Sequence, residues 1–103
     1  MQEIRKINDF YEMIEHDKVL VIFYADWSGP ADILLQVTED LKEELKSYEV
    51  VKVNTDKLMQ ITRKYHITSV PALKVFKNGK ITLESSGVKT REELSKLLAE
   101  NVY

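Results

Sequence analysis

Residues 19–25 form an unbroken apolar run, Val-Leu-Val-Ile-Phe-Tyr-Ala, which restricts the possible folds of this chain strongly. A strand with one solvent-facing side would alternate apolar and polar residues, so a continuous run indicates a strand buried on both faces. Helices then have to cover both sides of the sheet. The run is followed by Trp-Ser-Gly-Pro-Ala at residues 27–31 and by a helical pattern, which predicts a strand-to-helix turn after a central strand. Turns of this kind often carry functional residues.

The remaining patterns alternate between strand and helix along the chain. Weak alternation over residues 2–7 predicts a short edge strand, and β-branched residues predict a second strand over 50–53. Residues 72–77 and 81–86 flank Asn78-Gly79, which is the strongest short signal for a β-hairpin. The order β-α-β-α-β-α-β-β-α therefore predicts an α/β fold, a mixed central sheet flanked by helices on both faces.

Four helices are predicted from apolar residues that recur every three or four positions. Asp9, Ser28 and Thr90 mark three of the helix starts, Ser28 as an N-cap and Thr90 in a capping box with Glu93. The apolar positions are, helix by helix, Phe10, Met13 and Ile14; Ile33, Leu34, Val37, Leu41 and Leu45; Leu58, Ile61 and Tyr65; and Leu94, Leu97, Leu98 and Val102.

Length and charge limit the classes of protein to which the chain can belong. Its 103 residues suffice for one domain, residues 1–103. The net charge is −2, with cations scattered among acids, so no basic patch for nucleic acid is expected. No apolar segment reaches the roughly 20 residues of a membrane span, and the first residues lack the basic-then-apolar order of a signal peptide. We expect a cytoplasmic monomer that binds neither nucleic acid nor membrane.

The absence of cysteine excludes several kinds of chemistry. Neither a disulfide, nor a thiolate nucleophile, nor a Cys-ligated metal site can form. The two histidines, His16 and His66, lie far apart in the sequence, so we expect no metal site and no cofactor. Neither histidine lies in a motif that would activate Ser28 as a hydrolytic nucleophile. Ser28 is therefore interpreted as a helix cap.

Several short motifs are spaced along the chain as they are in one known family. They are Phe23-Tyr24-Ala25-Asp26-Trp27 followed by Gly29-Pro30, then Lys52-x-Asn54-x-Asp56, Val70-Pro71, Phe76-Lys77-Asn78-Gly79 and Gly87. Together they resemble the thioredoxin family, whose active site is Trp-Cys-Gly-Pro-Cys, over nearly the whole chain. The resemblance implies a thioredoxin fold, and it places Pro71 at the family's cis-proline and Gly87 beside its substrate groove.

The departures from the family fall on the residues that carry out its reaction. By resemblance, Ser28 and Ala31 occupy the two cysteine positions, and a serine hydroxyl neither ionises near neutral pH nor exchanges with sulfur. Ile22, Asp32 and Gln36 stand where the family commonly has a buried aspartate, a basic residue and a helix-kinking proline. We therefore expect no disulfide exchange by this chain.

The substrate groove of the family needs no cysteine. By resemblance, an extended peptide pairs there with the backbone just before the cis-proline, and an exposed tryptophan is a residue type that anchors interfaces. This predicts binding of a protein or an extended peptide. Alternatively, Trp27 and Pro71 persist only because the fold requires them. The predicted binding residues are Trp27, Gly29, Pro30, Ser69, Val70, Pro71 and Gly87.

Three hypotheses about function follow from the sequence. In the first, the chain is a non-catalytic thioredoxin-like module that binds a protein or peptide in the groove. In the second, it is a disulfide reductase whose cysteines have been replaced by Ser28 and Ala31 through engineering. In the third, it is a structural or designed scaffold with no ligand. The sequence alone does not separate the first two.

Overall fold

Strands and helices follow one another in the predicted order within the part of the chain that the structure describes. A computed structural model describes residues 1–101, so Val102, predicted on the last helix, lies outside the described residues. Within that range, every helix falls short of the length and apolar content that crossing a bilayer requires. The strands are β1 (Gln2–Ile4), β2 (Val19–Tyr24), β3 (Glu49–Asn54), β4 (Ala72–Lys77) and β5 (Lys80–Ser86); the helices are α1 (Ile7–Ile14), α2 (Gly29–Asp40), α3 (Met59–Lys64) and α4 (Arg91–Ala99).

The strands form one mixed sheet in the order β1-β3-β2-β4-β5. β2 pairs in parallel with β3 and antiparallel with β4, while β1 and β5 lie at the edges. Every residue of β2 is buried. The apolar run is therefore the central strand, as predicted, and the α/β class is confirmed.

Two apolar clusters lie on opposite faces of the sheet. Phe23 of β2 belongs to a cluster with Phe10 of α1 and Ile61 of α3. Ile22, the preceding residue, points to the other face and belongs to a cluster with Leu34 of α2 and Leu94 of α4. Because successive strand residues point to opposite faces, a wholly apolar strand is needed to serve both clusters.

The predicted helix starts agree with the structure for α4 and differ for α1. The capping box of α4 forms, with Thr90 Oγ1 accepting from the Glu93 N–H at 3.1 Å and Glu93 Oε1 accepting from the Thr90 N–H at 2.9 Å. Helix α1 begins at Ile7, before the predicted signal, and Lys6 at its N-cap makes no side-chain cap. Asp9 instead lies in the first turn, where its charge interacts favourably with the helix dipole.

Helix α2 ends sooner than its apolar repeat predicts. The regular helix stops at Asp40 and the chain continues as turns, yet Leu41 and Leu45 are both buried. The repeat therefore indicates which side chains face the core rather than how far the helix extends. Ile33 was also predicted on the apolar stripe and is 54% exposed, because Leu34 takes the core-facing position.

The hairpin between β4 and β5 closes at Asn78 and Gly79, as predicted. Their φ angles are 51° and 86°, in the left-handed region that Gly adopts freely and Asn tolerates. Their N–H groups donate to the carbonyls of His16 and Ile14 at 2.9 and 2.8 Å. These bonds tie the hairpin to the end of α1, far from the turn that follows β2.

Candidate functional site

The turn between β2 and α2 places Ser28 at the N-cap of the helix. Its backbone is extended, with φ −97° and ψ 108°, and its Oγ accepts a hydrogen bond from the Ala31 N–H at 3.1 Å. Pro30 lies in the first helical turn, where its missing N–H leaves no helical bond unmade. Ser28 is only 4% exposed. The predicted cap is confirmed, and the hydroxyl serves the helix rather than facing a substrate.

The two positions that correspond to cysteines offer no reactive group. Ala31 is fully buried. Within residues 1–101, Ser28 forms hydrogen bonds with backbone groups alone. His16 precedes β2, at the opposite end of that strand from Ser28, and its Nδ1 lies 2.8 Å from Glu49 Oε1. A serine without an adjacent base is a poor nucleophile, and neither a serine hydroxyl nor an alanine methyl group exchanges with a disulfide.

Removing the Ser28 hydroxyl should weaken the start of α2. We expect Ser28→Ala to lower the free energy of unfolding by about 1 kcal/mol, the typical effect of losing an N-cap. The change is measured as the urea midpoint of unfolding. Ser47→Ala is the matched control, because Ser47 is exposed and makes no side-chain hydrogen bond within the described residues. Equal midpoints for the two variants would contradict the capping role.

Ile22 of β2 stands where the family, by resemblance, commonly has a buried aspartate. Ile22 is fully buried and pairs in register with Lys52 of β3. The Lys52 ammonium lies 5.2 Å from the centroid of the Tyr24 ring. Burial, aided by a hydrogen bond to Glu3, raises the pKa of Tyr24 to about 12, so its phenol stays protonated at physiological pH. At Ile22, an apolar side chain takes the place of the aspartate to which the resemblance assigns proton transfer.

Trp27 projects from the turn into solvent and is held in place by one polar contact. Its side chain is 73% exposed, and its Nε1–H donates to Asp56 Oδ2 at 3.0 Å. Asp56 is itself positioned by its own N–H, which donates to Asn54 Oδ1 at 2.9 Å. The indole ring is therefore fixed in orientation while its faces stay open. A large, oriented and exposed aromatic ring is suited to contact a partner.

A cavity of about 290 Å³ opens beside this ring. Its apolar surface comes from Trp27, from Met59 of α3, and from Ile67 and Val70 of the segment before β4. The cavity is large enough to receive an apolar side chain. The remaining lining residues are Thr55, Asp56, Thr62, Arg63, Thr68 and Ser69.

Among the predicted binding residues, Trp27, Ser69 and Val70 line this cavity together. Pro71 follows directly, and the Val70–Pro71 peptide bond is cis in the structure. The Pro71 carbonyl accepts a hydrogen bond from the Gly87 N–H at 2.9 Å, which brings Gly87 beside the same segment. The exposed first residues of α2, Gly29 and Pro30, do not line the cavity.

A second cavity, of about 320 Å³, lies against the same segment. Ile67, Thr68 and Ser69 line both cavities. The rest of its wall is mainly polar. The sequence did not indicate this cavity, and it did not indicate that Met59 and Asp56 line the first one. The two cavities form only when α3 and β5 pack against residues 67–69. Its other lining residues are His66, Ala72, Lys74, Glu84, Ser85 and Ser86.

Comparison with known proteins identifies the family. Residues 2–100 match the family model described as Thioredoxin. The chain belongs to the thioredoxin family. The thioredoxin of Chlamydia trachomatis is 33% identical to it over 101 residues, which cover 98% of this chain and 99% of that protein. The thioredoxin of Bacillus subtilis is 33% identical over 85 residues, which cover 82% of each chain.

Solved structures of thioredoxins superpose closely on this family member. The Plasmodium falciparum thioredoxin gives a TM-score of 0.90 at 27% identity, covering 97% of this chain and 98% of that one. A mutant thioredoxin from Halobacterium salinarum gives 0.89 at 27% identity, covering 99% of this chain and 90% of that one. The predicted thioredoxin fold is therefore confirmed, in a family member whose 103 residues include no cysteine.

Proposed function

We propose that this chain is a redox-inactive thioredoxin-like module that binds a protein or an extended peptide. The binding groove consists of Trp27, the segment Ser69-Val70-Pro71 and Gly87. Disulfide exchange is absent, because Ser28 and Ala31 provide neither an attacking nor a resolving thiol. The location in the cytoplasm and the monomeric state stay predictions from the sequence.

The observation that carries the proposal is the exposed Trp27 ring beside the apolar cavity. An indole that is 73% exposed contributes little to the core. Its hydrogen bond to Asp56 nevertheless fixes it at the rim of a cavity that Met59 and Val70 also line. Anchoring residues of protein interfaces are often tryptophans that meet a pocket in this way. The third hypothesis, a scaffold without a ligand, gives no reason for such an arrangement.

The backbone beside the ring supports an extended ligand. Within residues 1–101, residues 68–70 form no hydrogen bond with other backbone groups, and Thr68 and Ser69 are exposed. Unpaired backbone N–H and C=O groups can pair with an added strand, which gains affinity from main-chain hydrogen bonds and specificity from side-chain pockets. Such binding requires no sulfur on either partner.

The test begins with the selection of cysteine-free peptides from a random displayed library on the immobilised protein. Selected peptides are synthesised and titrated into ¹⁵N-labelled protein, and amide shift changes are mapped. We expect the shifts to cluster at Trp27, Ser69, Val70 and Gly87. We also expect Trp27→Ala to weaken binding about tenfold or more, which corresponds to about 1.4 kcal/mol.

The matched control for this prediction is Ile33→Ala. Ile33 is another exposed apolar residue, but it does not line the cavity, so its loss should leave the dissociation constant unchanged. If no peptide is enriched, or if selected peptides bind Trp27→Ala as tightly as the wild type, the groove is not the binding site.

A further inference from the structure

The second cavity contains a lysine that the sheet buries. Lys74 lies on β4 opposite Val21 of β2, and its neighbours on the same face, Ala72 and Phe76, belong to the apolar cluster under α1 and α3. Lys74 is only 7% exposed. Lysine is almost never this buried unless it is paired, because burial removes the water that stabilises its charge. The charged form of Lys74 therefore needs a neighbouring anion to be stable in this buried position.

The anion in this structure is Glu84. It lies opposite Lys74 on the neighbouring strand β5, and its Oε1 accepts a hydrogen bond from the Lys74 ammonium. The two ends of this ion pair differ in environment, since the Lys74 side chain is 8% exposed and the Glu84 side chain 61% exposed. Glu84 can turn into water only when another anion takes its place, because Lys74 is buried and cannot follow it. An ammonium has three donors, and Glu84 is its only partner within residues 1–101.

The pair lines the polar cavity next to the groove. Residues 67–69 form one wall of this cavity and one wall of the apolar cavity beside Trp27. An extended peptide that lies along residues 67–69 passes both cavities. One of its side chains would enter the apolar cavity, and another would enter the cavity that holds Lys74.

We propose that the cavity with Lys74 is a second subsite of the groove and that it selects an acidic side chain in the bound peptide. This inference rests on the proposed function. In the free protein, Glu84 forms the ion pair with the Lys74 ammonium. In the complex a peptide carboxylate replaces Glu84, which turns into solvent. The exchange preserves a charge-assisted hydrogen bond on a buried cation and adds a contact to the ligand.

The test uses a defined set of peptides rather than an unidentified partner. Each is acetylated, amidated and free of cysteine, with a central Leu in an Ala, Ser and Thr background. One Glu is moved along the flanking positions, and a Gln peptide matches each Glu peptide. Affinities are read from the fluorescence of Trp27, the single tryptophan of the chain, and by calorimetry for Trp27→Ala. The protein variants are Glu84→Gln, which changes an exposed side chain, and Lys74→Met, which keeps the aliphatic length.

The wild type should bind one Glu peptide of the series about 5- to 10-fold more tightly than its Gln partner, since about 1.4 kcal/mol gives a factor of ten. Glu84→Gln should increase this preference, because the internal competitor is gone. Lys74→Met should abolish the preference, so that the Glu peptide and its Gln partner bind this variant equally.

Two results would overturn the subsite, and they differ in what they say about the groove. If peptides bind through Trp27 but Glu and Gln are equivalent at every position in the wild type and in Glu84→Gln, the subsite is wrong and the groove stands. If no peptide binds in a Trp27-dependent manner, the subsite and the proposed function fail together.

Discussion

Replacing Ser28 and Ala31 together by cysteine is expected to give this chain disulfide-exchange activity that the wild type lacks. The scaffold already provides what a reactive thiolate needs at position 28. The Ala31 N–H donates to Ser28 Oγ at 3.1 Å, and a sulfur at position 28 would face the same donor. The N-terminus of α2 favours negative charge there, which lowers the pKa of a thiol. A second thiol at position 31, one helical turn on, could resolve the mixed disulfide.

The measurement is the reduction of insulin disulfides by dithiothreitol, followed by turbidity. The double variant should accelerate the reaction at least about tenfold, whereas the wild type should match the rate without protein because it has no thiol. Ser28→Cys alone should not turn over, since it lacks the resolving group. A folded double variant with no activity would show that the scaffold has lost more than its cysteines. Counting the free thiols of the protein from its native source separates the two origins of this sequence. No thiol would mean that the cysteines were lost naturally, and two would mean that Ser28 and Ala31 were introduced by engineering.

Ile22→Asp is expected to destabilise the domain by about 3 kcal/mol or more at neutral pH. Ile22 is fully buried in the central strand, in the cluster that contains Leu34 and Leu94. The substitution removes apolar volume from this cluster and adds a carboxyl group without water around it. The free energy of unfolding is measured in urea. An aspartate variant as stable as the wild type would contradict this account of the position.

The same variant should show a pH dependence of known sign. Burial raises the pKa of a carboxyl group above its unfolded value of about 3.9. The Ile22→Asp variant therefore has its full stability at pH values below the pKa of this carboxyl group in the unfolded state. It loses stability as the pH rises through the higher pKa of the folded state. Ile22→Asn is the matched control, because asparagine has nearly the shape of aspartate but carries no charge at any of these pH values. The two variants should be equally stable near pH 3 and should diverge as the pH rises, with the aspartate variant the less stable.

The elements that depend on local chemistry could be predicted from the sequence. The run at 19–25 can satisfy both faces of a sheet only at its centre, and Asn78-Gly79 has the backbone freedom that a tight hairpin needs. Ser28 and Thr90 cap the helices that follow them because their hydroxyl groups reach the free N–H groups of the first turn. Each of these signals lies within a few residues of the structure that it specifies.

Features that depend on contacts between distant segments were not predicted. The repeat that continues through Leu41 and Leu45 predicted more helix than forms, because turns bury the same side chains. In the sequence, nothing distinguishes Lys74 from an ordinary polar residue of a hairpin strand. Its burial and its pairing with Glu84 arise only when β5 and the segment before β4 meet around it. The contact of Trp27 with Asp56 likewise joins two loops that are distant in sequence.

The central claim is that the groove binds its ligand without any contribution from sulfur. The most direct test compares the dissociation constant of one selected, cysteine-free peptide for the wild type and for the Ser28→Cys, Ala31→Cys variant kept reduced. Both proteins retain Trp27, Val70 and Pro71. The account predicts equal constants, because the contacts of the groove are the same in both. Binding by the reduced dithiol variant with none by the wild type would contradict it and would make the thiols part of recognition.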